Sequence, residues 1–309
     1  MVAGGSFTVA EGASVTVHCG YNDALIGSTA PAAWRSYGAV ASAGGAMTVD
    51  GTLALYGDAM SGSPVKVSAA SLAVGATGVL HSNAGGWSWI YLGINYDYSL
   101  GGMAGGSYNG GAYGGFGGGY NGNPSLVKDY ANKQTYGDAL RPFLPGSPGG
   151  NSSGTFGGGA LRIDVAGRIV NDGTISANGS TVGASTGGGS GGSVWISCRT
   201  FENGAAGALT ANGGNNTSNG GAGGGGRILV CEKLSSAQID ALYQTGEAPR
   251  KVAAVEVTAE NAASLFGGTV TAAGGTNVNY SASNPYWSGT AGSVWRLEGQ
   301  SAPLIILVR

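Results

Sequence analysis

The sequence predicts an all-β chain, a parallel β-helix or solenoid with packed glycine-rich loops of polyglycine-II type and a small C-terminal appendage. Three observations carry that expectation. First, a pattern is stated from Gly157 to Ser180 (GGGALRIDVAGRIVNDGTISANGS), repeated from Gly191 to Gly214 (GGSVWISCRTFENGAAGALTANGG) and begun again at Gly225 (GGRILVCEK). Self-similarity at about 33 residues signals stacked units, none of which buries its apolar face alone. Second, each unit reads as short runs of alternating apolar residues with Gly and Asn at the corners, the texture of a parallel β-helix. Third, glycine runs recur at the same place in each unit.

Composition bounds the alternatives. Glycine supplies 63 of 309 residues, about three times the usual share of roughly 7%, and there is no Gly-X-Y period to indicate collagen. Charged residues are 10% and the formal net charge is −2. With no basic cluster, the chain offers nucleic acid nothing to hold. The apolar fraction of 42% leaves material for a core. No apolar run reaches the ~18 residues of a membrane helix, so no membrane insertion is expected. The start, MVAGGSFTV, lacks the basic and apolar regions of a secretion signal; for an exported protein the leader is expected to lie in a longer precursor. Cys19, Cys198 and Cys231 follow no metal-ligand spacing. Strand alternation puts Cys198 and Cys231 on opposite faces, so free thiols are expected, with Cys198 packed as a small hydrophobe.

In chain order, FTVA and SVTVHC read as two short strands around a turn, with Val15, Val17 and Cys19 on one face and His18 on the other. VDGTLAL, from Val49, echoes NDGTISA at Asn171. Val65 to Gly86 aligns with the later unit: Val65 on Val194, Val67 on Ile196, Leu72 on Phe201, Leu80 on Leu209 and Asn83 on Asn212. Val65, Leu161, Val194 and Ile228 are then expected to stack as one interior column, and Val67, Ile163, Ile196 and Val230 as the next. An antiparallel sandwich uses the same short strands, but near-identical copies favour stacking. The solenoid is assigned to 1–234, interrupted by an aromatic and glycine-rich insertion at about 87–156. GGMAGG, GGAYGGFGGGY, SPGG, GGGSGG and GGAGGGG are expected to pack against one another beside the strands, since threads without side chains approach closely and hydrogen-bond sideways. Flexible linkers are the competing reading. Residues 235–309 are expected to form a cap or small α+β appendage: a helix from Ser235 to Gly246, a strand, a helical turn at Glu260 to Phe266 and another strand. The tail repeats GSVW of Gly192 to Trp195 at Gly292 to Trp295.

The ordered series GGGALRIDVAGRIVNDGTISANG, GGGSGGSVWISC and GGAGGGGRILV, with TYGDAL at Thr135, resembles the glycine-rich repeat regions of very large predicted surface proteins of Verrucomicrobia, Lentisphaerae and Planctomycetes. The likeness spans about 108–230. It implies an exported, cell-surface protein and brings no characterised activity.

Catalytic chemistry is sparsely signalled. A polysaccharide lyase needs clustered acids and a base, and a glycosidase two carboxylates across a groove. No repeat column stacks acids. Asp164 is expected on the outer face beside Arg162, with Ser197 and Trp195, then Cys231 and Leu229, at matching positions. Asp50 and Asp172 sit before Gly-Thr at corners, as turn residues. His18 and His81 are isolated, giving neither a triad nor a zinc site. No cofactor and no metal site is expected. The binding signal is aromatic: Trp87, Trp89 and Tyr91 alternate, and Tyr96, Tyr98, Tyr113 and Tyr120 follow, in a pattern that suits stacking on a surface glycan or a partner. Packing of these rings against the glycine threads is the competing role. The expected function is a non-catalytic extracellular structural or adhesin module, glycan-binding or self-assembling. The alternatives are a β-helix carbohydrate-active enzyme and a flat-surface, ice-type binder.

Overall fold

A computed structural model describes residues 1–19, 38–59, 62–88, 108–120, 135–150, 155–183, 186–280 and 282–300. Its strands come in successive units. These are β1 (Val2–Ala3), β2 (Phe7–Val9) and β3 (Ser14–His18); β4 (Val40–Ala43), β5 (Ala46–Val49) and β6 (Thr52–Tyr56); β7 (Val65–Ala69), β8 (Ser71–Val74) and β9 (Val79–His81); and β10 (Ala160–Val165), β11 (Arg168–Asn171) and β12 (Thr174–Ser176). The next unit has β13 (Ser193–Cys198) and one long strand, β14 (Thr200–Thr210), and β15 (Arg227–Glu232) opens another. Helix α1 (Ser236–Thr245), β16 (Val252–Glu256), α2 (Ala262–Phe266), β17 (Gly267–Thr271) and β18 (Ser293–Gly299) follow.

Pairing joins each strand to its equivalent in the neighbouring unit, in parallel. The first strands form one open sheet in the order β1-β4-β7-β10-β13-β15-β18, with antiparallel β16 as its last strand. The second strands form the ladder β2-β5-β8-β11 and the third strands β3-β6-β9-β12. Both ladders meet on β14, whose Thr200–Asn203 pairs with β11 and Ala208–Thr210 with β12. Parallel pairing throughout these ladders excludes the antiparallel sandwich.

The expected interior columns are present. Val65, Leu161, Val194 and Ile228 lie in register, as do Val67, Ile163, Ile196 and Val230. All are buried in one cluster with Leu72, Ile169 and Phe201 from the second ladder and Leu80, Ile175 and Leu209 from the third. Register passes from β7 to β10 without a slip although the insertion separates them in sequence. Asparagines secure the corners. Asn171 Nδ2 donates to Asn203 Oδ1 at 2.7 Å, fully inside. At another corner, the side-chain oxygens of Asn83, Asn178 and Asn212 each accept the backbone N–H of the next unit, at 2.7, 2.7 and 2.8 Å.

The segment expected to be a cap or appendage does both less and more. α1 has the expected Ser235 N-cap, in a capping box with Gln238, and ends on Gly246 in the left-handed conformation. α2 falls within the expected helical turn. Yet β17 pairs with β14, and β18 pairs in register with β15. The second GSVW is thus two rungs on from the first: Val294 follows Ile228 and Val194. The sheets continue past 234.

The described glycine runs are packed, and GGMAGG lies outside the described residues. Along 187–192 the N–H groups point to three neighbours in rotation: Gly187 and Ser190 donate to Gly150 and Ser147, Gly188 and Gly191 to Gly221 and Gly224, and Gly189 and Gly192 to Ser180 and Ala177. Its carbonyls accept from three further segments, through Gly111, Gly158 and Gly214. Segment 221–226 repeats the rotation, donating to Tyr108 and Gly111, to Trp287 and Thr290, and to Gly214 and Ala211. Space, not backbone angle, demands glycine here. Positive φ is confined among described glycines to Gly12, Gly62, Gly137, Gly246 and Gly267, none in these segments. A Cβ on Gly188, Gly191 or Gly223 would instead come within 3.0 Å of the backbone of a neighbouring segment. No helix among the described residues is long and apolar enough to cross a membrane.

The three thiols are free. Cys198 joins the interior cluster and Cys231 the cluster under α1, on opposite faces as expected. Burial pushes the Cys231 thiol up to about 12 and raises the Cys198 thiol as well.

Overpacking at a close backbone approach costs about 1–3 kcal/mol. Gly191→Ala is therefore expected to lower the unfolding free energy by at least that much in urea titrations, whereas Gly4→Ala, with nothing within 4 Å of its Cβ position, leaves it unchanged.

Candidate functional site

The aromatic residues read as a binding face divide into two sets. Trp89, Tyr91, Tyr96 and Tyr98 lie outside the described residues. Trp87 and Tyr113 are buried, and their rings join the insertion to the sheets. The Trp87 ring lies 5.8 Å from Tyr136, which lies 4.7 Å from Tyr113. Tyr113 Oη shares a 2.7 Å hydrogen bond with Ser193 Oγ, at the start of β13. Arg227, at the start of β15, donates to the Tyr136 carbonyl at 3.0 Å and to Ser293 Oγ at 3.1 Å. Burial pushes the Tyr113 phenol up to about 12, the Ser193 hydrogen bond opposing it. Tyr113 is wholly enclosed, so in this arrangement it presents no face to a ligand. Tyr120 is half-buried and packs on Tyr108 at 4.8 Å. Rings of this size bury much apolar surface per residue, which explains why they occur where side-chain-free glycine segments meet the sheet.

The candidate acids are engaged locally. Asp50 and Asp172 lie against Gly75 and Gly204 of the following unit, as corner residues. Glu202 pairs with Arg168 and Asp138 with Arg141. Glu232 is buried, accepting the Phe201 N–H at 2.9 Å and pairing with Arg296 at 2.7 Å. Among the described residues no group of three or more His, Cys, Asp or Glu side chains is placed to hold a metal ion. The histidines are less isolated than their sequence positions imply. His18 stacks on Tyr56 at 5.1 Å and His81 meets the same ring edge-on at 6.2 Å, with burial lowering the His81 pKa.

A groove of about 1000 Å³ lies on the outer face of the first sheet. The expected outward columns are observed: Arg162 beside Trp195 and Leu229, and Asp164 beside Ser197 and Cys231. Over the β13–β15–β18 side, Trp195, Leu229, Cys231 and Leu297 form an apolar patch covered by Leu242 of α1. The N-terminal half of the helix lines the groove through Ser236, Ile239 and Asp240. On the floor the Arg162 guanidinium stacks over Trp195, 3.9 Å from the ring centroid. Its Nε donates to Asp164 Oδ1 at 2.5 Å and Nη2 to Ser197 Oγ at 3.1 Å. Lys66 Nζ holds the other oxygen of Asp164 at 2.9 Å. Arg199 and Lys233 stand on the rim.

Comparison with known proteins adds no name to this geometry: no protein family, curated protein or solved structure matches the chain.

The groove depends on α1, which sequence reasoning placed in an appendage. The available signal was Trp195, Leu229 and Trp295 at outward positions, since large apolar side chains there need a cover.

If Trp87 and Tyr113 are structural anchors, truncating either to Ala should cost about 3–5 kcal/mol. Chemical denaturation followed by tryptophan fluorescence measures this, and an unmoved midpoint would contradict the anchoring role.

Proposed function

We propose that this chain is a non-catalytic, extracellular structural module of a surface protein, built as a parallel β-solenoid with a polyglycine-II-like bundle as its second layer. The observation that carries the reading is the rotation of N–H groups along 187–192 and 221–226, one neighbour per residue with a period of three. A polyproline-II helix has three residues per turn and no internal hydrogen bonds, so each thread must satisfy its backbone on surrounding threads. Residues in such a layer offer backbone amides to one another and few side chains for chemistry. The low charge of the chain, its resemblance to repeat regions of surface proteins and the use of Trp87 and Tyr113 in packing support the same reading.

The carbohydrate-active alternative would place its chemistry in the groove over β10 and β13. The carboxylates lining it are Asp164 and Asp240. Asp164 is held by two cations, an arrangement that suits charge balance better than proton transfer.

Two measurements test the proposal. In cells that produce the protein, a membrane-impermeant reagent should label it on intact cells. Purified protein incubated with a panel of neutral and acidic polysaccharides should release neither reducing nor unsaturated ends. Turnover that disappears in Asp164→Asn would replace the structural reading with the enzymatic one.

A further inference from the structure

The groove over the first sheet has features that a scaffold does not need. Arg162 is 9% exposed, and the sheet, the Trp195 ring and Asp164 fix its guanidinium before any ligand arrives. Two of its nitrogens are occupied, while Nη1 has no hydrogen-bond partner among the described residues. Arg162 lines the groove. A fixed, largely desolvated guanidinium in the lining of an open cleft is a preorganised oxyanion donor, since an Arg fork matches carboxylate geometry and loses little freedom on binding.

The charges around it favour an anion. Arg162, Arg199 and Lys233 line the groove as cations, and Asp164 and Asp240 as anions. Asp164 is covered by Lys66 and Arg162, and Lys233 is shared with Glu298 at 2.5 Å. Arg199 is exposed. The local balance is therefore positive in a chain whose net charge is −2. The remaining polar lining consists of hydroxyls, from Ser197, Thr200, Ser235 and Ser236. Its volume stands at the top of the roughly 300–1,000 Å³ range of small-molecule pockets, suited to an oligomer more than to a lone ion.

We propose that this groove binds a carboxylate-bearing polysaccharide segment, with Arg162 as the anchor for one uronate carboxylate, Arg199 attracting the chain from solvent, and the serine and threonine hydroxyls meeting the sugar hydroxyls. Trp195, beneath the guanidinium, positions Arg162 and does not meet the ligand. Binding here is separate from the structural role. Failure to bind overturns this inference alone, and polysaccharide turnover overturns the non-catalytic reading alone.

The test is calorimetric titration of the full chain with oligogalacturonate, its methyl ester and a sulfated oligosaccharide of equal length. Oligogalacturonate should bind and the uncharged ester should not. Arg162→Lys keeps the charge but loses the planar fork, and should weaken binding about tenfold. Arg199→Ala should weaken it two- to threefold, with the difference shrinking as salt rises. Thermal melts establish that each variant is folded. Where Arg162→Lys is not folded, Arg199→Ala and the ester comparison decide. Equal binding of ester and acid, no binding of the acid, preference for the sulfated chain, or affinity unchanged in a folded Arg162→Lys would each overturn the assignment.

Discussion

Backbone meeting backbone, with no side chain between, is the constraint on which the rest of this structure depends. A polypeptide segment buried away from water must pair its N–H and C=O groups. Segments 187–192 and 221–226 do so by giving successive amides to different neighbours. Neighbours this close leave no room for a Cβ, as the positions of Gly188, Gly191 and Gly223 demonstrate. Ordering so many glycines is entropically expensive, and the saturated hydrogen bonding and close contact of the threads offset that cost. The glycine content of the chain is therefore a packing requirement.

The sheets and the glycine layer solve each other's problem. From β12 to β13 and from β14 to β15 the chain passes through a glycine segment and returns to the first sheet one rung further on. Rung spacing in the ladders sets the offset between successive threads, and threads in register hold the ladders in register. Asn83, Asn178 and Asn212 stand at the point where strand becomes thread, each accepting the next unit's backbone N–H. The insertion enters through the same logic. Its described glycines fill positions beside 187–192 and 221–226, while Tyr113 and Tyr136 join it to Ser193 and Arg227 at the entry of β13 and β15.

Much of this was legible because the repeat is strict. Aligning Val65 with Val194 and Leu72 with Phe201 is an alignment of rungs, so the interior columns and the opposite facing of Cys198 and Cys231 follow from strand alternation alone. Continuation of the sheets through β17 and β18 was harder to read. The 235–266 excursion hides the period, leaving GSVW at Gly292 as the one clear copy. Of the aromatic positions, Trp87 and Tyr113 are buried in the packing role weighed beside ligand contact. Alternation of Trp87 with its neighbours says that rings share a face, but only the third dimension says that Tyr136 and Gly62 already occupy that face for Trp87. The groove was half visible. Arg162 and Asp164 were read as outward neighbours, but the wall that makes a cleft of them belongs to a helix more than 70 residues away in sequence.

The central claim is that the glycine segments are as much part of the folded core as the strands. Amide hydrogen exchange of the intact chain, resolved by mass spectrometry over peptides covering 187–192, 221–226, β10 and β13, tests it directly. Protection of the glycine segments should match that of β10 and β13, both opening only with global unfolding. Complete exchange of the glycine segments within seconds while the strands stay protected would show them to be loops, and would contradict the account.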